Sequence, residues 1–377
     1  MTSLLYINWT PFPIFRMFML QSALDLFSGI AVNSDNSRVS NLKERPHLFL
    51  VETEAENNKR TYVLKRYDKD TVGGARVCVA VWRQFCASQD KALRFSRLAA
   101  LLPIPDHKSD EEYIYTCEEA GASAFYLAME YLEGDEDFDF MQGMWTEAHC
   151  TEAGRLLAAM HAVSLPSSLD PLLLANRPVL SNEYLAGRLK EGLISIGRFS
   201  KSGESAEEEA DAKVAILLAA LKRKFPLAMS NMVINHGDVH PGNIIYNQGR
   251  ALAFIDFDYA CAGNPLNDLG YAVFMFGFAN KLDPFREEAD LITGMGAALI
   301  RAYFEAQSQS FDQERVTEAE AEAEALLPYC GLAALHTFIW LASEAEKQNN
   351  PLRDSHKRAA LFSIDYLEAV LRKLSSS

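Results

Sequence analysis

Two groups of oxygen-bearing side chains lie close together in the chain. The first is in His236-Gly237-Asp238-Val239-His240-Pro241-Gly242-Asn243, the second in Asp256-Phe257-Asp258. Asp238 and Asn243 are five residues apart, so one tight loop can present both to a single metal-bound nucleotide. Phosphoryl transfer needs such a set: a carboxylate that orients an acceptor hydroxyl and takes its proton, and hard oxygen ligands for magnesium on a triphosphate. A rival lies in the same residues. His236-x-Asp238-x-His240 offers two imidazoles and a carboxylate, which could begin a zinc or binuclear hydrolase site. Such a site needs further ligands downstream, and the later histidines, His336 and His356, sit in helical contexts without partner motifs. The phosphoryl-transfer reading is therefore preferred.

These residues must be brought together by the elements around them. Ile244 to Tyr246 and Ala251 to Ile255 are short apolar runs joined by Asn247-Gln248-Gly249, a hairpin that would return Asp256 beside Asn243. This strand-rich island, Met232 to Phe257, interrupts a half of the chain that is otherwise helical in pattern: Trp145 to Val163, Glu183 to Ile196, Ala212 to Phe225, Asp290 to Ala306, Val316 to Lys347 and His356 to Leu374. The acidic segment Lys201 to Asp211 reads as a solvated loop. The N-terminal part has strand character instead. His47 to Val51 and Thr61 to Tyr67 read as an antiparallel hairpin with a polar turn over Glu52 to Arg60. Val77 to Leu102 reads as a helix closed by Pro103 and Pro105, and Tyr113 to Cys117 with Ala124 to Tyr131 as a second strand pair turning at Ala120-Gly121. Before all of these, Ile14 to Ile30 reads as an amphipathic helix preceded by an irregular arm.

From Ile234 to Gly270 the sequence resembles the aminoglycoside phosphotransferase and choline kinase superfamily of small-molecule kinases, and the overall layout resembles it more loosely over most of the chain. The resemblance implies an α+β, protein-kinase-like two-lobed fold. Residues 1–129 would form a small antiparallel β-sheet lobe, 130–133 a connector, and 134–377 a larger helical lobe with the catalytic loop and acceptor site. It implies Asp238 as catalytic base and Asn243 and Asp256 as magnesium ligands. Asp268, in Asn267-Asp268-Leu269-Gly270, would cap a helix and brace the loop, and His161 in Ala158-Ala159-Met160-His161 would pack beneath it. His236 becomes structural on this reading. Lys65 would contact the α- and β-phosphates, Met129 would sit behind the adenine, and the Glu130 carbonyl and Leu132 amide would bond its edge. The implied cofactors are ATP, with GTP as the alternative, and magnesium.

Two features of the family are weak. The phosphate-covering loop should fall near Asn33 to Leu42, yet Ser34-Asp35-Asn36-Ser37 has no glycine, and no glutamate stands between Val77 and Leu98, where Gln84 and Asp90 are the nearest substitutes for the usual lysine partner. They motivate a non-catalytic nucleotide-binding scaffold as the alternative. A protein kinase is disfavoured, since Asp256-Phe257-Asp258 replaces Asp-Phe-Gly and no Ala-Pro-Glu follows. Asp258 is left open between a second metal contact and a loop-stabilising role.

The composition sets outer bounds. The 377 residues include 51 acidic and 36 basic side chains, a net charge of −15, which argues against nucleic acid as partner. A small-molecule acceptor is expected instead. The acidic run Glu133, Asp135, Glu136, Asp137, Asp139 could steer a cationic one, with a solvated loop as the preferred reading, and Tyr329 and Trp340 are read as core before acceptor pocket. The six scattered cysteines form no C-x-x-C pair, and no uncharged run of membrane-spanning length is present, so a cytoplasmic chain with reduced thiols and no membrane partner is expected.

Overall fold

A computed structural model describes residues 38–41, 47–55, 58–87, 113–119, 121–135, 138, 145–163, 165, 170–175, 182–197, 204–224, 232–278, 291–307, 316–347 and 350–376. The expected N-terminal amphipathic helix lies outside them, as does all of the phosphate-covering stretch except 38–41. The chain divides into two compact units. The described residues of the first fall in 38–87, 113–133 and 255–259, and the rest belong to the second.

The first unit is a five-stranded antiparallel sheet. Its strands are β1 (Arg38–Asn41), β2 (Leu48–Ala55), β3 (Asn58–Tyr67), β4 (Ile114–Glu119) and β5 (Ala122–Glu130), in the order β1-β2-β3-β5-β4. The β2–β3 pairing continues to Ala55 opposite Asn58, so most of Glu52 to Arg60, expected as a turn, is strand. Each further cross-strand pair in a hairpin closes backbone hydrogen bonds whatever its side chains bury, and that outweighs weak local propensity. Helix α1 (Val72–Ala87) begins five residues before the expected Val77. Asp68 nucleates it by accepting from the Asp70 and Thr71 amides at 3.0 and 2.9 Å. The Gly73-Gly74 pair had hidden this first turn from a propensity reading. The register places Val63, Lys65 and Tyr67 opposite Met129, Leu127 and Phe125, all on one sheet face. Val72, Ala75 and Val79 of α1 pack there with Tyr67, Ile114 and Leu127.

The second unit contains α2 (Glu147–His161), α3 (Pro171–Ala175), α4 (Asn182–Ser195), α5 (Glu204–Lys224), β6 (Val233–Asn235), β7 (Ile244–Asn247), β8 (Arg250–Phe254), β9 (Cys261–Gly263), α6 (Pro265–Phe278), α7 (Gly294–Gln307), α8 (Val316–Glu346) and α9 (Arg353–Ser376). The strands form two small antiparallel pairs, β6 with β9 and β7 with β8. Helix α5 takes in most of the expected acidic loop: Glu and Ala are good helix formers, and acids suit a helix N-terminus. Its Asp211 pairs with Lys190 of α4 at 2.8 Å. The core lies among α2, α6, α7, α8 and α9, where Phe276, Leu299, Leu335, Phe338, Ile364 and Leu367 are fully buried. Among the described residues one helical segment, Ala325–Glu346, is long and apolar enough to cross a membrane, and 78% of its most apolar stretch is buried inside the protein.

Candidate active site

In the second unit, β6 delivers the chain into the loop 236–243, whose backbone is held from below by one carboxylate. Asp268, in the first turn of α6, accepts from the His236 amide at 2.6 Å and the Gly237 amide at 2.9 Å. Its third partner is His161 at the end of α2, Nε2 to Oδ2 3.2 Å, and the other nitrogen of that ring meets the Tyr303 hydroxyl at 2.9 Å. The two side chains of the His161–Asp268 pair are 1% and 2% exposed, so water does not compete for these bonds. His161 and Asp268 thus brace the loop as expected, but the helix cap expected of Asp268 is supplied by Asn264, whose Oδ1 accepts from the Leu266 amide at 2.9 Å.

The loop itself is bonded throughout. The buried His236 ring lies 5.1 Å from that of Phe254, and its Nδ1 accepts from the Asp238 amide at 3.3 Å. His240 caps the 3-10 turn Pro241–Asn243, its Nδ1 accepting from the Gly242 amide at 3.1 Å. Because Nδ1 of each ring accepts a backbone amide proton, the hydrogen of each neutral imidazole sits on Nε2, and neither ring turns a free lone pair toward a shared metal. Among the described residues no group of three or more His, Cys, Asp or Glu side chains is placed to hold a metal ion. The donor geometry therefore turns against the hydrolase rival.

Asp238 is fixed from both sides. Tyr271, one turn after Asp268 on α6, donates its hydroxyl to Oδ1 at 2.8 Å. Asn243 donates through Nδ2 to Oδ2 at 3.1 Å and to the Asp238 carbonyl at 3.0 Å. His240 Nε2 lies 3.5 Å from Oδ2. Burial disfavours the charged carboxylate, yet the contacts from His240 and then Tyr271 outweigh it and hold Asp238 below the usual aspartate range. The carboxylate is thus ionised at neutral pH, and Asn243, having used its amide nitrogen, retains the carbonyl oxygen as a hard ligand.

The first unit gathers a second group. Lys65 on β3 is buried, with Nζ 2.7 Å from Asp256 Oδ1 and 2.7 Å from Asp258 Oδ2. Asp258 also accepts from the Tyr67 hydroxyl at 2.9 Å and from Cys78 Sγ at 3.2 Å. Burial opposes the Lys65 charge, but the two carboxylates overcome it and hold its pKa above the usual lysine range. Burial is also the main reason the Tyr67 and Cys78 protons are held tightly, with the nearby acids adding to it. Asp256 has φ of +67°, a conformation rare outside glycine and concentrated at functional sites.

Met129 shares the sheet face of Lys65, lying opposite Val63, while Glu130 ends β5 opposite Tyr62 and Leu132 follows just beyond the strand; all three are half-buried. Gln84 makes no hydrogen bond to Lys65 among the described residues, and Asp90 lies outside them. Asp135 proves to be a hairpin cap: both its oxygens accept from the Gln248 amide, at 2.8 and 2.9 Å. Glu136, Asp137 and Asp139 are outside the described residues. Tyr329 is core, accepting from Asn264 at 3.0 Å, whereas Trp340, expected as core, is 47% exposed on α8 with His356 5.9 Å away. Tyr271, Tyr67 and Cys78 were missed in the sequence. For Tyr271 the signal was present, since a residue three after a helix-start Asp268 shares its face; for the other two it was not.

Residues 46–328 match the family model described as phosphotransferase enzyme family. Among curated proteins, the chain is 29% identical over 170 residues to a homoserine kinase of Chelativorans sp. (strain BNC1), an alignment covering 44% of this chain and 46% of that protein. The match thus spans about half the length of that relative. Among solved structures, a microcompartment-associated aminopropanol kinase superposes with TM-score 0.61 at 16% identity, covering 95% of this chain and 98% of the other. A spectinomycin phosphotransferase in complex with ADP and spectinomycin gives TM-score 0.57 at 14% identity, with coverages of 93% and 98%. At these identities the structural likenesses establish a shared fold.

Proposed function

This chain belongs to the phosphotransferase enzyme family, and from that premise we propose that it transfers the γ-phosphoryl group of ATP to the hydroxyl of a small amine-bearing alcohol. The observation that carries the reading is the braced loop of the second unit, in which Asp268 fixes the backbone while Tyr271 and Asn243 fix an ionised Asp238. A carboxylate so held can accept the acceptor's hydroxyl, align its oxygen with the γ-phosphorus and receive its proton as the new O–P bond forms and the bond to the departing ADP breaks. Lys65 supplies positive charge to the α- and β-phosphates. Met129 packs behind the base, with the Glu130 carbonyl and Leu132 amide on its edge; GTP is the alternative nucleotide.

The carbonyl oxygen of Asn243 and the carboxylate of Asp256 are the hard donors magnesium prefers, and they are the residues that would hold it. Bound there, the ion would supply charge neutralisation at the β- and γ-phosphates. The acceptor class follows from the relatives' names: homoserine, aminopropanol and spectinomycin all carry a hydroxyl and an amine. A cytoplasmic setting belongs to the same proposal.

The test is ADP release from magnesium-ATP across a panel of amino alcohols, hydroxy amino acids and aminocyclitols. Asp238→Asn should lose turnover by about a thousandfold or more while binding nucleotide nearly as the wild type does. Wild-type-like turnover in that variant sinks the assignment of the base. Nucleotide binding without ADP release for any acceptor would favour the scaffold reading instead.

A further inference from the structure

Helix α1 carries neither Asp nor Glu, so it brings no carboxylate to the lysine strand it packs against. We propose that Asp258 is the positioning residue for Lys65, fixing its ammonium group so that Asp256 is free to exchange the lysine for a metal ion. The consequence for catalysis rests on the phosphotransfer reading; the geometry does not.

Both carboxylates lie 2.7 Å from Lys65 Nζ, but they are held differently. Asp256 is 41% exposed, and Lys65 is its one side-chain partner among the described residues. Asp258 is 22% exposed, and the oxygen it turns away from Lys65 accepts from Tyr67 at 2.9 Å and from Cys78 at 3.2 Å. Tyr67 is two residues beyond Lys65 on β3 and so faces the same side. The anchored carboxylate therefore belongs to Asp258 and the exchangeable one to Asp256.

Helix α1 is shaped to admit Asp258. Gly74 and Cys78 lie one turn apart on one helix face, and a Cβ at position 74 would stand 2.8 Å from Asp258 Cγ and 3.0 Å from its Oδ2, closer than carbon atoms tolerate. Where a longer acid would reach from the helix toward the lysine, this chain has a glycine and a thiol and brings the acid from the segment after β8. The missing helix glutamate is thus matched by a carboxylate from elsewhere in the chain.

The decisive variant is Asp258→Asn, which keeps the volume and can still accept from Tyr67 but cannot pair with Lys65. In the intact chain without nucleotide, Lys65 acetylation by N-hydroxysuccinimidyl acetate, followed by peptide mass spectrometry against the exposed Lys347, should become severalfold faster. In turnover assays the nucleotide KM should rise about tenfold or more, with the acceptor KM unmoved. If Asp258→Asn does not fold, Gly74→Ala displaces the same carboxylate and should give the same labelling change. Unchanged Lys65 labelling in the folded variant overturns the inference. Absence of ADP release by the wild type overturns the phosphotransfer reading alone, because the labelling is read without it.

Discussion

Replacing Asp268 with Asn tests whether one buried carboxylate organises the loop that carries Asp238. The substitution keeps shape and volume but removes the charge and turns one of two accepting oxygens into a donor. In the wild type those oxygens accept from two backbone amides at 2.6 and 2.9 Å and meet His161 at 3.2 Å. The side chain is 2% exposed, so no water replaces a lost partner. Hydrogen bonds to a charged group contribute about 1.5–3 kcal/mol each, and a buried donor left unsatisfied costs about 1–3 kcal/mol. Losing one such bond and orphaning one donor comes to about 2.5–6 kcal/mol, a large part of the roughly 5–15 kcal/mol that holds a domain folded. With an m-value of about 2–3 kcal/mol/M, the urea midpoint followed by circular dichroism should fall by about 1–3 M. Turnover should fall by at least about tenfold, since the loop backbone at 236 and 237 would shift under Asp238. A midpoint within about 0.3 M of wild type, with turnover within about twofold, would refute the bracing role and the magnitudes behind it.

Two other substitutions separate roles that the structure assigns. Tyr271→Phe removes a donor from Asp238, whose pKa is held below the usual range, so the carboxyl should protonate at higher pH; the acid limb of the kcat/KM profile should move toward neutrality while the basic limb stays put, and an unmoved acid limb would contradict the Tyr271 contact. Asp135→Ala should cost about 0.5–1.5 kcal/mol in urea unfolding and leave the KM for a cationic acceptor unchanged, because the exposed carboxylate caps a hairpin; a raised KM with unaltered stability would restore the steering role.

The parts of the site readable from sequence are those built over short separations. Asp238 and Asn243 are five residues apart and hydrogen-bond directly. The hairpin turn is equally local: Gln248 and Gly249 have φ of +51° and +73°, as a tight two-residue turn between β7 and β8 requires. Errors of extent came where cooperative bonding outran local preference, in the long β2–β3 ladder and in the first turns of α1 and α5. Trp340 was misjudged because an aromatic residue at helical spacing reads as buried, while α8 turns that side chain outward.

The sequence by itself determined the family resemblance, the order of elements and the identities of Lys65, Asp238, Asn243 and Asp256 as chemically capable groups, because residue type and short spacing are local properties of the chain. Only the tertiary structure decided what each of those groups is bonded to. Lys65 meets Asp256 and Asp258 across 191 and 193 residues, and Asp268 reaches back 31 and 32 residues to the loop amides. A hydrogen bond depends on distance and direction in space, to which sequence separation is blind. The lysine partner that α1 lacks is therefore supplied by Asp258, a residue whose role its own neighbourhood in the sequence left undecided.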